Sequence, residues 1–285
     1  MVWPLRRQRR KRIARISLTG PIAGAARKRV VKALRQVEER KFPVLLLRID
    51  SPGGTVGDSQ EIHQALLRLR ASGCQVVASY GNISASGGVY VGCAADRIVA
   101  NAGTITGSIG VILRGNNLEK LLERVGIRFE TVKSGLYKDI LSPDKPLSEG
   151  ERSILQALID SSYSQFVAAV ATGRKLSEET VRSFADGRVF SGAQALELGM
   201  VDLLGDEDTA RREAARLAGL DEEKSQPVEL GKERSGLCKS CAKSCNCNWP
   251  GAGNPCGCSG HDPQLEAAGA PGGHHRQCQH RRGHD

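Results

Sequence analysis

Histidine is almost missing from most of this 285-residue chain. Five of its six histidines lie between His261 and His284, which leaves His63 alone in the long middle stretch. That excludes a cluster of histidine metal ligands there. It also leaves a single histidine to activate any serine or cysteine nucleophile. Cysteine is equally lopsided: seven of nine lie between Cys238 and Cys278, and only Cys74 and Cys93 precede them. Two isolated thiols make no disulfide framework and suit a reducing compartment. No apolar run reaches the ~18–20 residues that span a bilayer, so neither a transmembrane helix nor a secretory signal peptide is expected.

Charge of one sign is also absent where a basic protein would need it. The net charge is +10, but residues 16–230 hold 27 basic and 27 acidic side chains and net to zero. The excess sits in residues 1–15, with seven cations and no acid, and in residues 231–285, at +3. A nucleic-acid partner for the whole protein therefore loses its main support.

What is present is an alternation of apolar runs and helical periods. Strands are expected at Ile13–Leu18, Val44–Ile49, Gln75–Ser79, Arg97–Ala100, Ile109–Leu113 and Arg128–Val132, and near Val189. Helices are expected at 22–40, 58–72, 116–125, 148–172, 176–184, 191–198 and 206–218, with another leading through Ala95. Continuous apolar strands such as Val44–Ile49 suit a parallel sheet buried on both faces. The class is α/β, and strand, glycine loop and helix recurring twice also fits a spiral of ββα units. Three parts are expected: a basic arm at 1–11, a folded domain at 12–220, and a tail at 221–285 where Gly, Pro, Cys and His replace any hydrophobic period.

Two glycine loops follow buried strands. Ser84-Ala85-Ser86-Gly87-Gly88 places a serine between a strand and a helix start, where a nucleophile is exposed and glycines let a substrate backbone approach. The Gly87 amide at a helix start is a candidate oxyanion donor. Asp50-Ser51-Pro52-Gly53-Gly54 would add a second donor, from Gly53 or Gly54, at the strand ends where parallel sheets gather their sites. Taken alone, both loops also suit ordinary capping turns. His63 lies among Ile62 and Leu66 in a helix and reads as a packing or surface residue. A lysine base is the alternative, provided its pKa falls well below the ordinary value of about 10.4. Lys138 sits in a mixed loop and by itself reads as solvated.

Five motifs in order then carry a resemblance. They are Ser84-Ala85-Ser86-Gly87-Gly88; Ala95-Asp96-Arg97-Ile98-Val99-Ala100-Asn101; Gly103-Thr104-Ile105-Thr106-Gly107-Ser108-Ile109-Gly110-Val111; Lys133-Ser134-Gly135-Leu136-Tyr137-Lys138-Asp139; and Asp186-Gly187-Arg188-Val189-Phe190-Ser191-Gly192. Over residues 12–220 the chain resembles the signal peptide peptidase A family, in its short, single-repeat bacterial and cyanobacterial form. The resemblance implies a Clp-protease/crotonase-like spiral of ββα units with a C-terminal helical part, and a serine peptidase with a Ser/Lys dyad. Ser86 falls on the nucleophile, Lys138 on the general base and Ser108 on the hydroxyl that orients the lysine. Gly87 with Gly54, preferred over Gly53, falls on the oxyanion hole.

No cofactor and no metal are implied. The implied partners are signal-peptide remnants and other small or unfolded peptides, and further copies of the chain in a ring where serine and lysine come from neighbouring subunits. One departure is Val89-Tyr90, where many members carry two aromatics, a change expected to reshape the pocket. The other readings are a crotonase-type acyl-CoA enzyme and a catalytically silent scaffold.

The two ends carry separate expectations. Trp3 and Leu5 with the cations of residues 1–15 suit an anionic membrane surface, at roughly 1 kcal/mol per cation, or a solvated tail. The expected location is cytoplasmic and peripheral to the thylakoid or plasma membrane. The spacings Cys238-x-x-Cys241, Cys245-x-Cys247 and Cys256-x-Cys258 can bind zinc, but an accompanying fold is missing, and a disordered tail or a reading-frame shift is the preferred reading.

Overall fold

Residues 12–231 are described by the structure, a computed structural model. The basic arm at 1–11 and the Cys/His-rich stretch from 232 onward lie outside the described residues. The domain holds eight strands and eight helices among the described residues. β1 (Ile13–Thr19), β2 (Val44–Ser51) and β3 (Gln75–Ala85) pair in parallel. β4 (Arg97–Ala100) extends the sheet beside β3, and β7 (Leu203–Leu204) lies beyond β4. β8 (Pro227–Leu230) covers the far edge of β1. The sheet therefore continues past the boundary expected at residue 220; the short run Pro227–Leu230 carries too little periodicity to be read as a strand without its partner.

Parallel strands need crossover helices. α1 (Gly24–Glu39) and α2 (Val56–Ala71) fill that role, and α3 (Gly87–Gly92) follows β3. Side chains alternate across the strands, and the two faces find different partners. Ala14, Ile16, Leu18, Leu45, Leu47 and Ile49 pack with Val30, Leu34 and Val37 of α1 and with Ile62 and Leu66 of α2. Ile13, Val44, Leu46, Val77 and Val99 point the other way, onto Ala210, Ala214 and Ala215 of α8 (Glu207–Leu217). The three alanines let α8 lie close against the sheet. Both faces of β2 are buried, as its unbroken apolar run requires.

β3 runs six residues beyond its expected end. Its first part pairs with β4 up to Tyr80↔Ala100; its last part pairs with β5 (Ile105–Gly107) from Ile83↔Ile105. Between the two ladders β2 advances two positions, Ile49 to Ser51, while β3 advances four, Tyr80 to Ser84. The Asp50 carboxylate occupies the resulting bulge. It accepts from the Ile83 amide at 3.1 Å and from Asn82 Nδ2 at 3.4 Å. β6 (Val189–Ser191) then pairs antiparallel with β5.

The C-terminal helical part begins with α5 (Glu149–Arg174), opened by a capping box of Ser148 and Glu151. α6 (Glu178–Phe184), α7 (Gly192–Glu197) and α8 follow. Only α4 (Glu119–Arg124) is regular between residues 110 and 147. The strands expected at Ile109–Leu113 and Arg128–Val132 do not form. Among the described residues no strand pairs with either run, and Ile112, Phe129 and Val132 are exposed.

His63 is buried on the inner face of α2, with its ring edge-on to Tyr90 at 5.1 Å. Burial, and then the positive charge of Arg70, lowers its pKa from 6.5 to about 4. The folded state therefore binds this proton less readily than the unfolded state. The stability this gives is complete above about pH 6.5 and is lost as pH falls toward 4, by about 3 kcal/mol in all. A His63→Phe protein should accordingly show a flatter loss of stability between pH 6.5 and 4 than its parent in urea titrations; equal slopes would refute the assignment.

Candidate active site

The chain must turn from strand to helix within one residue after Ala85, and Ser86 makes the turn. Its backbone takes φ 52° and ψ −117°, a sparsely populated conformation for a residue with a Cβ and one that concentrates at functional sites. The Ser86 amide donates to the Gly107 carbonyl at 2.9 Å, and its carbonyl accepts from the Tyr90 amide at 3.0 Å. Its hydroxyl makes no capping bond to α3. An ordinary helix-capping serine would, so the hydroxyl is left for something else.

The second glycine loop packs directly against this turn. Gly53 has φ +101°, and a Cβ there would stand 2.7 Å from the Gly87 nitrogen and 2.8 Å from the Ser86 Cβ. A Cβ on Gly87 would stand 2.5 Å from the Ser59 Oγ and 3.2 Å from the Gly54 nitrogen. The loop is held by a parallel bridge: Ile22 N donates to Gly53 O at 2.8 Å and Thr55 N to Ile22 O at 3.0 Å. The Gly53 amide donates to the Ser51 Oγ at 3.1 Å. The amides of Gly54 and Gly87 donate to no group among the described residues. Two free N–H groups thus lie beside the Ser86 turn, an arrangement able to hold a developing oxyanion.

Ser108 follows Gly107, the residue whose carbonyl holds Ser86. It too has a positive φ, 51°, and its amide donates to the Arg188 carbonyl at 2.7 Å. Asp186, ion-paired with Arg188, steadies that anchor. The structure therefore brings together Ser86, Gly53, Gly54, Gly87 and the backbone of Ser108.

Lys138 is not among them. It is exposed, on a turn closed by a bond from its amide to the Gly135 carbonyl. No hydrogen bond or ion pair joins it to Ser86 or Ser108 within the chain. Its two neighbours Lys133 and Lys145 are engaged: Lys133 binds Asp139, and Lys145 binds both Asp139 and Glu151. Those lysines hold both carboxyls down to about 2. Among the described residues Lys138 pairs with no carboxylate, which leaves its amine available.

His63, packed in the core, makes no bond to Ser86. Burial pushes the thiols of Cys74 and Cys93 up to about 12, so neither is a thiolate at neutral pH. Val89 and Tyr90 are both buried, and Tyr90 packs between His63 and Phe166. Sequence reasoning passed over Ser51, Ser59 and Asp50, all of which touch or shape the two loops. A serine two residues before a glycine amide is a recognisable turn signal; Ser59 and Asp50 act across the fold and leave no local pattern. Among the described residues no three His, Cys, Asp or Glu side chains gather as metal ligands, and no helix is long and apolar enough to cross a membrane.

Comparison with known proteins bears on the fold and the family. The fold is similar to that of a mutant form of the 1510-N membrane-bound stomatin-specific protease, with a TM-score of 0.54 over 78% of this chain and 98% of that one, at 14% identity. The fold class is α/β. In sequence, the chain is 63% identical over 230 residues to a Synechocystis sp. protein provisionally named protease slr0021, covering 81% of this chain and 82% of the relative. It is 36% identical over 207 residues to an Enterococcus faecium protein provisionally named signal peptide peptidase SppA, covering 68% of this chain and 60% of that one. Residues 68–221 match the pattern described as Peptidase family S49. The chain belongs to peptidase family S49 and is a peptidase.

Proposed function

We propose that the protein is a serine endopeptidase in which Ser86 attacks the peptide carbonyl and Lys138 is its base. The observation that carries this reading is the pair of unbonded amides, Gly54 and Gly87, beside a serine in a strained turn whose hydroxyl caps nothing. Neutral Lys138 takes the proton from Ser86 Oγ as the Oγ–carbon bond forms. The carbonyl oxygen gains the negative charge and is held by the two amides. Collapse expels the amine of the cleaved bond, which takes the proton back from Lys138. Water then hydrolyses the acyl-enzyme, with Lys138 again as base. Ser108 orients the lysine amine.

The lysine must be unprotonated to act, which requires removal from water. In this chain Lys138 is exposed, and it belongs to a segment that also exposes Ile112, Phe129, Val132 and Leu136. An apolar surface of this extent marks an interaction site. These features support a ring in which Lys138 reaches the Ser86 of a neighbouring copy, as the family resemblance implies. The substrates on this reading are signal-peptide remnants and other small or unfolded peptides near a cytoplasmic membrane face, with the cations of residues 1–15 as the attachment. Membership of a peptidase family weighs against the acyl-CoA and scaffold readings.

Hydrolysis of a fluorogenic leucine-rich peptide tests the dyad. Ser86→Ala and Lys138→Ala should each lower kcat by at least about 10³-fold. Mixing the two inactive proteins should restore activity if the pair forms between subunits; undiminished hydrolysis by Ser86→Ala sinks the mechanism. Gly53→Ala should also abolish hydrolysis, because its methyl would crowd the Gly87 amide and its φ is unfavourable to any L side chain. A Gly53→Ala protein of normal activity would show that the two loops do not form the site.

A further inference from the structure

Three consecutive residues bring the second loop to the nucleophile, and they differ in what their backbones can donate. Pro52 has no N–H. The Gly53 N–H is taken by the Ser51 hydroxyl at 3.1 Å. Only the Gly54 N–H is left, and its nitrogen is the one that lies 3.2 Å from where a Cβ on Gly87 would stand. Ser51 itself is fully buried. It pairs with Ser84 across β2 and β3, and its carbonyl lies 3.1 Å from where a Cβ on Gly88 would stand. One residue therefore touches both loops, with its hydroxyl on Gly53 and its carbonyl beside Gly88.

We propose that Ser51 is a positioning residue for the oxyanion hole: its hydroxyl holds the Gly53 amide and so fixes the Pro52–Gly53 peptide, and together with the Ile22 amide on the Gly53 oxygen this sets the next peptide to present the Gly54 N–H beside Ser86. A serine oxygen reaches the amide two residues ahead without strain. Alanine cannot accept the bond, and the loop is then held only by its bridge to Ile22. Ground-state peptide binding does not use this hydrogen bond; the charge that develops on the carbonyl oxygen does. This assignment rests on Ser86 as nucleophile.

The test uses the assembled full chain with Ser51→Ala and Ser51→Cys. Three quantities are measured: kcat and KM on the fluorogenic peptide; inhibition by a peptide aldehyde, whose adduct with Ser86 carries the oxyanion; and inhibition by the same peptide ending in an unreactive alcohol. Loss of a whole oxyanion donor costs 10²–10³-fold, so a misdirected one should cost Ser51→Ala about 10- to 100-fold in kcat. Aldehyde affinity should fall by the same factor, while KM and alcohol affinity stay within about twofold. Sulfur is a weaker acceptor of similar shape, so Ser51→Cys should fall between parent and alanine; it also serves if the alanine protein does not fold. Aldehyde and alcohol affinities weakening equally would make Ser51 merely structural and overturn the proposal. So would an unchanged aldehyde affinity in either variant. Hydrolysis that survives Ser86→Ala would overturn the mechanism itself, and that control separates the two failures.

Discussion

One strand serves two ladders, and the site depends on it. β3 leaves β4 at Tyr80 and takes up β5 at Ile83. The extra residues this needs would leave an amide unpaired inside the fold, a costly arrangement, were it not for the Asp50 carboxylate bonded to Ile83. Everything after that point follows from where β3 is aimed. Ser84 to Ser86 arrive beside Gly107, Ser86 is bonded to its carbonyl, and the turn into α3 has one residue in which to reverse. The glycine loop that begins with the next residue, Ser51, is thereby brought into contact with the same turn. A single acidic side chain thus sets the distance between the two loops.

The parts of the fold that were legible in the sequence are those whose signal is local. The apolar face of α1 and the unbroken run of β2 name their own partners by period alone, and observed limits differ from expected ones by only a few residues. The glycine loops were legible as loops, because glycine after a buried apolar run is a local signal. The failures share a cause. Ile109–Leu113 and Arg128–Val132 have the composition of strands, but a strand needs a neighbour to pair with, and the described residues supply none. β8 was missed for the opposite reason: it is short and polar at one end, and becomes a strand only because β1 has an open edge. The packing of Tyr90 between His63 and Phe166 was not legible, because it joins three separate helices. The proposal of Lys138 as base rests on the family resemblance alone, since nothing in its own loop distinguishes a base from a solvated lysine.

The segment from 110 to 147 contrasts with the rest of the domain. Its internal order comes from charge: Asp139 gathers Lys133 and Lys145, and Glu151 ties Lys145 to the first turn of α5. Several of its apolar side chains, among them Ile112, Phe129, Val132 and Leu136, are exposed. Polar groups therefore fix the shape of the turn that carries Lys138.

The four residues of β8 carry a consequence for handling the protein. They pair along the outer edge of β1, and Glu229 binds Arg15 and Ser17 there. An uncovered, flat, apolar edge is a template for intermolecular strand addition. A version of the chain cut after residue 231 keeps this cover. One cut at 220, where the helical pattern ends, exposes the backbone donors and acceptors of Ile13 to Ile16 and turns the sheet margin into a seed for aggregation.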